Sequence, residues 1–156
     1  NIPTNPYGLS KNVINRIIEQ ESNFYNIRVY GVFDENELNT RFIKSNIKRY
    51  INNQPIEIHQ DKLMDFIYMK DLILLVKHYI KNPIVPKVGE GCYKKKYSLL
   101  DIANIINNLS DYKVPINIQN KDLSLPYVGK IIPPIKFIGL KKGIQNTYKK
   151  LLDESN

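Results

Sequence analysis

The run Asn26-Ile27-Arg28-Val29-Tyr30-Gly31-Val32-Phe33 limits the fold more than any other stretch of the chain. It is rich in β-branched and aromatic residues and largely apolar. A strand of that kind fits a position covered on both faces, which is the situation inside a parallel sheet. An amphipathic segment precedes it: Val13, Ile14, Ile17 and Ile18 recur at helical spacing, with Lys11, Asn15, Arg16 and Glu19 between them. The spacing predicts a helix over 10–22. The polar stretch 34–39 follows as a loop at the strand's C-terminal end, and open α/β sheets bind ligands at such ends. The order helix, buried strand, polar loop places the chain in the α/β class.

The rest of the chain continues that alternation. Thr40 is a candidate cap for a helix over 41–53, with Ile43, Ile47, Tyr50 and Ile51 as its stripe and Pro55 as its stop. Ile56-Glu57-Ile58-His59 alternates like a half-exposed strand, and 66–68 is a second short extended piece. A helix over 70–81 turns Leu72, Ile73, Leu75, Val76, Tyr79 and Ile80 inward. Pro83, Pro86, Gly89 and Gly91 mark a long connection. Ser98-Leu99-Leu100-Asp101 has the form of a capping box with aspartate at its fourth position, opening a helix to about residue 109. Residues 114–119 read as a strand, the stretch with Pro126, Pro133 and Pro134 as irregular, and 142–153 as a last helix. Its inward residues are Ile144, Tyr148, Leu151 and Leu152.

Composition narrows the functional classes. The chain has 156 residues, enough for one domain with a real core, and no apolar run long enough to span a bilayer. The first residues have neither a basic nor an apolar leader segment, and a single cysteine, Cys92, excludes an internal disulfide. A cytoplasmic location is the expectation. His59 and His78 have no partner cysteines, so a structural zinc site is not expected. The net charge of +8 comes from short, dispersed clusters such as Lys94-Lys95-Lys96, Lys141-Lys142 and Lys149-Lys150. These read first as solvated surface and second as a field that attracts a diphosphate. Neither a helix-turn-helix nor an aromatic platform supports nucleic-acid binding.

Tyr7 and Lys11 stand four residues apart, so on one helix they share a face. For the two to meet, the first helix has to reach back through Tyr7. An ammonium beside a phenol favours the phenolate and suits it to moving a proton. The spacing alone is unspecific in a chain with 11 tyrosines and abundant lysine, and a tyrosine packed at a helix start with a solvated lysine gives the same pattern.

Four motifs in one order make it specific. Asn5-Pro6-Tyr7-Gly8-Leu9-Ser10-Lys11, Arg28-Val29-Tyr30-Gly31-Val32-Phe33, Met64-Asp65-Phe66-Ile67-Tyr68 and Tyr97-Ser98-Leu99-Leu100-Asp101 together resemble the extended short-chain dehydrogenase/reductase family. Its members here are the NAD-dependent epimerases and dehydratases of nucleotide-activated sugars. The resemblance runs from Pro6 to about Leu152 and covers only the C-terminal half of such an enzyme. The glycine-rich turn that holds the dinucleotide pyrophosphate is nowhere in the chain, and the family's catalytic Ser/Thr falls upstream of Asn1.

The resemblance implies the C-terminal part of an extended Rossmann-type enzyme, with the N-terminal dinucleotide-binding half missing. Residues 1–33 close the Rossmann-type portion, and 34–156 form mainly a substrate-binding α/β portion. It implies an NAD(P)-dependent epimerase, dehydratase or 4-keto reductase acting on a nucleotide-diphosphate sugar. Tyr7 exchanges the proton, Lys11 holds the nicotinamide ribose, and Tyr30 and Gly31 present backbone groups to the cofactor. Such a fragment alone is expected to be inactive and to bind NAD or NADP weakly. Its partners are the missing half and, at full length, a second copy in a homodimer. The alternative is a non-catalytic nucleotide-sugar-binding or protein-interaction module of the same descent.

Two positions depart from the family pattern. Gly31 replaces an asparagine that touches the sugar diphosphate, and Met64 replaces an arginine with the same role. A methionine cannot pair with phosphate, so Arg41 or Lys62 is the candidate to bring charge to that cleft. A surface cation remains the plainer reading of each. Asp65 and Asp71 read as residues that fix loops and helix starts.

Overall fold

The computed structural model describes residues 4–82 and 84–154. The leader reading of residues 1–3 and the turn reading of Pro83 lie outside them. Helix α1 spans Pro6–Gln20, and strands β1 (Asn26–Val29) and β2 (Val32–Phe33) follow. Then come α2 (Phe42–Ile51), β3 (Ile56–Gln60), β4 (Ile67–Tyr68) and α3 (Met69–Lys81). Strand β5 (Val88–Gly91), α4 (Leu99–Asn107), β6 (Ile116–Asn120) and α5 (Leu140–Asp153) complete the chain.

The strands form three parallel pairs, β1 with β5, β2 with β4, and β3 with β6. Parallel pairing requires crossovers, and helices supply them here as in other α/β folds. The predicted single strand over 26–33 is two strands broken at Tyr30-Gly31, each with its own partner. β1 is also half-buried at Asn26 and Ile27 and exposed at Arg28 and Val29, where the sequence predicted full burial. The segment over 83–91, expected to be connection throughout, ends in β5. Val-Gly-Glu-Gly carries no strand pattern, because its one long side chain is a buried carboxylate.

The core lies between Phe33 and Leu151; no hydrophobic residue before Phe33 is buried among the described residues. α2 buries Ile43, Ile47 and Tyr50 at helical spacing, as its periodicity predicts. Thr40 does not cap it: Arg41 occupies the cap position with no side-chain bond. The helix ends in a Schellman turn. Asn53 takes φ +53°, its N–H bonds Tyr50 O at 3.1 Å, and Gln54 N–H bonds Arg49 O at 2.8 Å. At α4 the capping box is formed: Ser98 Oγ accepts from Asp101 N–H, and Asp101 Oδ2 accepts from Ser98 N–H.

α3 is a correction to the apolar stripe. Leu75 is buried and Leu72 and Tyr79 are half-buried, but Ile73, Val76 and Ile80 face outward. Leu-Ile-Leu-Leu-Val is apolar all round, so its pattern cannot select a face. α5 buries Ile144 and Leu151 as expected, with Tyr148 and Leu152 half-buried and Thr147 buried beside them.

Candidate functional site

α1 begins early enough to carry both residues of the Tyr7/Lys11 pair. Pro6 stands in its first turn, where a missing N–H costs nothing, and Asn5 caps it by accepting from Gly8 N–H at 2.7 Å. Lys11 Nζ lies over the Tyr7 ring, 5.4 Å from its centre. Tyr7 is 73% exposed, so its phenol is open to a ligand.

The pair opens onto a cleft of about 740 Å³ between α1 and β1. Arg28, Tyr30 and Tyr127 line it as well. Asn15, one turn beyond Lys11, accepts hydrogen bonds from Asn26 and Arg28 and ties the helix to the strand. A second cleft of about 550 Å³ shares Val29 and Tyr30 with the first. It continues past Gly31 to Asp34, Glu37, Arg41, Met64 and Phe66. It lies at the C-terminal end of the β1–β2 run, where the sequence placed a ligand loop.

Tyr30 is the partition between the two. Its hydroxyl donates to Glu90 Oε1 at 2.8 Å, and its ring meets Tyr127 edge-on at 5.0 Å. Burial, with the hydrogen bond and charge of Glu90, raises its phenol far above the ordinary value, so it stays neutral. Gly31 has no room for a side chain. A Cβ there would lie 2.7 Å from Phe66 Cδ1, and the Gly31 carbonyl accepts from Ile67 N–H at 2.8 Å.

Of the two candidate cations, the second cleft contains one. Arg41 is exposed at the start of α2 and lines it. Lys62 is half-buried on the β3–β4 connection and lines neither cleft. Met64 is in the cleft wall, as its alignment with the family arginine requires.

The structure adds two residues that no motif singled out. Glu37 lines the second cleft and accepts from Lys44 N–H at 3.1 Å, capping α2 where Arg41 does not. Burial first, then the Asp34 charge, push its carboxyl up to about 7; the Lys44 hydrogen bond and the charges of Arg41 and Lys44 act the other way. Glu90 is buried where Glu37 is half-buried, and burial opposes its ionisation. The N–H donors of Ile131 and Lys130, the Tyr30 hydroxyl and the Arg28 charge outweigh that and hold it below its ordinary value. Glu90 sits between two glycines and Glu37 in a mostly polar loop, which is why no periodicity marks either as turned inward.

The other singled-out residues have structural partners. Asp65 accepts from Lys96 Nζ at 2.6 Å and from Gly129 N–H at 2.7 Å. Asp71 accepts from the Tyr93 hydroxyl and from the N–H groups of Ile138 and Gly139. Both fix loops, as expected. Lys96 is therefore internal rather than solvated, and Lys95 lies over the Tyr97 ring at 5.1 Å. Burial raises the Cys92 thiol, which suits a packing role. Among the described residues no cluster of histidine, cysteine and carboxylates is arranged to hold a metal, and no helix is long and apolar enough to cross a membrane.

A search of curated proteins found no match. Among solved structures, the chain is similar to UDP-glucuronic acid 4-epimerase from Bacillus cereus, in a complex with UDP-glucuronic acid and NAD. The two share 19% identity with a TM-score of 0.77, over 99% of this chain and 55% of that one. An NAD-dependent NDP-hexosamine 5,6-dehydratase of tunicamycin biosynthesis is 16% identical with a TM-score of 0.73, and the same shares are covered. UDP-glucose 4-epimerase from Thermotoga maritima, with UDP-glucose, is 12% identical with a TM-score of 0.76, again over 99% and 55%. The chain thus spans about half the length of these structures, and the likeness establishes an epimerase-type α/β fold. The sequence model of the NAD-dependent epimerase/dehydratase family matches residues 2–90, more than half of the chain, and to that family the chain belongs.

Proposed function

We propose that this chain is the C-terminal, substrate-binding portion of an NAD(P)-dependent nucleotide-sugar epimerase, dehydratase or 4-keto reductase. Residues 1–33 complete the cofactor-binding portion, and 34–156 bind the sugar nucleotide. The observation that carries the reading is the exposed Tyr7 phenol with the Lys11 ammonium on its ring, at the mouth of a cleft. The residues present fit one end of the cofactor. Tyr7, Lys11 and the Asn12 amide line a space open to a nicotinamide and its ribose, while no glycine-rich turn offers amides to the pyrophosphate.

A bound NAD would supply reversible hydride acceptance at the sugar carbon. Tyr7 exchanges the matching proton with the sugar oxygen, and Lys11 brings positive charge to the phenol and a donor to the ribose. Tyr30 separates the cofactor end from the sugar-nucleotide end, where Gly31 offers backbone in place of a side chain. Arg41 is the cation available to the diphosphate in the second cleft. The dinucleotide-binding half of the same enzyme docks on α1 and β1, which bury no apolar residue within the chain.

A specific observation favours a second reading. With glycine and methionine at two contact positions, and two carboxylates beside one arginine, the second cleft is poor in phosphate ligands. A non-catalytic nucleotide-sugar-binding or protein-interaction module of the same descent accounts for that composition. Turnover separates the readings. In the full-length enzyme, Tyr7→Phe keeps the ring and removes the transferable proton. Its kcat is expected to fall by ~10²–10⁴-fold with KM little changed. A variant with near-normal kcat removes Tyr7 from the proton path.

A further inference from the structure

β5 carries one carboxylate into the protein between two glycines, and that carboxylate is fully used. Glu90 is 5% exposed. Its Oε1 accepts from the Tyr30 hydroxyl at 2.8 Å, and its Oε2 accepts from Lys130 N–H at 2.6 Å and Ile131 N–H at 2.7 Å. Arg28, its register partner on β1, supplies the nearby positive charge.

The segment that Glu90 grips packs closely against it. A Cβ on Gly129 would lie 2.8 Å from Cys92 Sγ and 3.0 Å from both Glu90 Oε2 and Tyr30 Cε2, so only glycine fits. Asp65 holds the same glycine by its N–H, while Asp71 holds the far end of the segment at Ile138 and Gly139. Two residues before Gly129 stands Tyr127, edge-on to Tyr30. Tyr30 and Tyr127 both line the cleft onto which Tyr7 and Lys11 open.

We propose that Glu90 is the positioning residue of this cleft: one carboxylate fixes the Tyr30 phenol and the Tyr127 segment together, and so sets the aromatic part of the cleft that Tyr7 also lines. The proposal rests on the cleft being the reaction site inferred above. Glu90 itself lines neither cleft. It acts through the two rings. A loss of its hydrogen bonds leaves Tyr30 free to turn and Tyr127 to move away, which widens the cleft on the side where the sugar must be held against Tyr7.

Three variants of the full-length enzyme test this: Glu90→Leu, which removes all three bonds; Glu90→Gln, whose amide can accept from the backbone and donate to the Tyr30 oxygen; and Tyr30→Phe, which removes only the phenol. In Glu90→Leu, amide exchange at Lys130 and Ile131 is expected to rise about tenfold or more, as for lost bonds to a charged group. Exchange at Ile138 and Gly139, held by Asp71, is expected to stay unchanged. With 3-fluorotyrosine incorporated, the Tyr127 fluorine signal is expected to shift in Glu90→Leu and Tyr30→Phe and to return toward wild type in Glu90→Gln.

UDP-glucuronic acid serves as the calorimetric probe, and its affinity is expected to fall about tenfold in Glu90→Leu and Tyr30→Phe, with recovery in Glu90→Gln. An unmoved Tyr127 signal in Tyr30→Phe overturns the proposal, as does unchanged exchange at Lys130 and Ile131 in Glu90→Leu. Should Glu90→Leu fail to fold, the fluorine signals of the other two variants decide. A wild-type enzyme that binds no UDP-sugar overturns the functional reading instead, and the exchange and fluorine results still decide the role of Glu90.

Discussion

Single residues carry the departures from the family. In the proposed reading Gly31 and Met64 leave the diphosphate end without two side chains, and both departures were readable in the sequence because the flanking motifs align. The reason Gly31 cannot be restored was not readable: Phe66 occupies the space of a Cβ, and no local pattern reveals a contact between residues 35 apart. The same geometry separates the two candidate cations. Arg41 lies in the second cleft and Lys62 lies outside it. Arg41→Ala is therefore expected to weaken nucleotide-sugar binding by about 1.5–3 kcal/mol, in the range for hydrogen bonds to charged groups. Lys62→Ala is expected to leave it unchanged. Calorimetry on both full-length variants checks this, and equal effects in the two remove Arg41 from its role.

Glu37 adds a pH dependence at the same cleft. Its carboxyl is raised from the ordinary 4.5 to about 7, chiefly by burial. Between those values the folded state holds the proton more tightly than the unfolded state does. Its contribution to stability is thus greatest at low pH and declines as pH rises through this window. Glu90 runs the other way: its folded value is lowered, so its contribution is present above the ordinary value and lost as pH falls. Urea melts at pH 5 and pH 8, as working conditions of about that spread, should show wild type losing stability relative to Glu37→Gln at the higher pH. Parallel behaviour of the two proteins contradicts the raised value.

At the scale of elements, the sequence showed what repeats and hid what is singular. α2, α4 and α5 announced themselves through periodicity and, for α4, a capping box. The break at Tyr30-Gly31 was hidden because both halves are apolar and the cause of the break is elsewhere: β2 turns to pair with β4 while β1 pairs with β5. β5 was hidden because a buried glutamate between glycines reads as a loop. Asparagine is abundant in the sequence, and the structure uses it to satisfy backbone groups at one sheet edge and at one strand approach. The Asn46 amide donates to Glu57 O at 3.0 Å and accepts from Glu57 N–H at 2.9 Å. Asn107 does the same at Val114, with both bonds at 2.9 Å. Asn46 takes the place of a neighbouring strand for one residue of β3, and Asn107 satisfies the backbone of Val114 just before β6. Asn46→Ala orphans a donor and an acceptor at a buried position. A loss of about 2 kcal/mol is expected by denaturant melts, the scale of an unsatisfied buried polar group. A loss below ~0.5 kcal/mol, the size of a neutral surface change, contradicts that role.

Across the whole molecule, burial is unevenly distributed, and the imbalance bears on what the chain can do alone. Among the described residues the buried hydrophobics begin at Phe33, whereas α1 contains no buried residue and leaves Leu9, Val13, Ile14 and Ile17 exposed. A helix of 15 residues without a packed face is marginal in water, since tertiary packing supplies most helical stability in proteins. Tyr7 and Lys11 therefore stand on the least supported element. In the 156-residue chain, α1 amides are expected to exchange far faster than those of α2 and α5, whose inner faces are buried. Titration with NAD is expected to give no tight, saturable heat, because Lys11 reaches only the nicotinamide end and no turn holds the pyrophosphate. Adding the dinucleotide-binding half, by expression of the full enzyme, is expected to restore both properties together, protecting α1 and producing NAD binding. Tight NAD binding by the 156-residue chain contradicts the division of labour between the halves, and protection of α1 in that chain shows that the helix needs no docking partner.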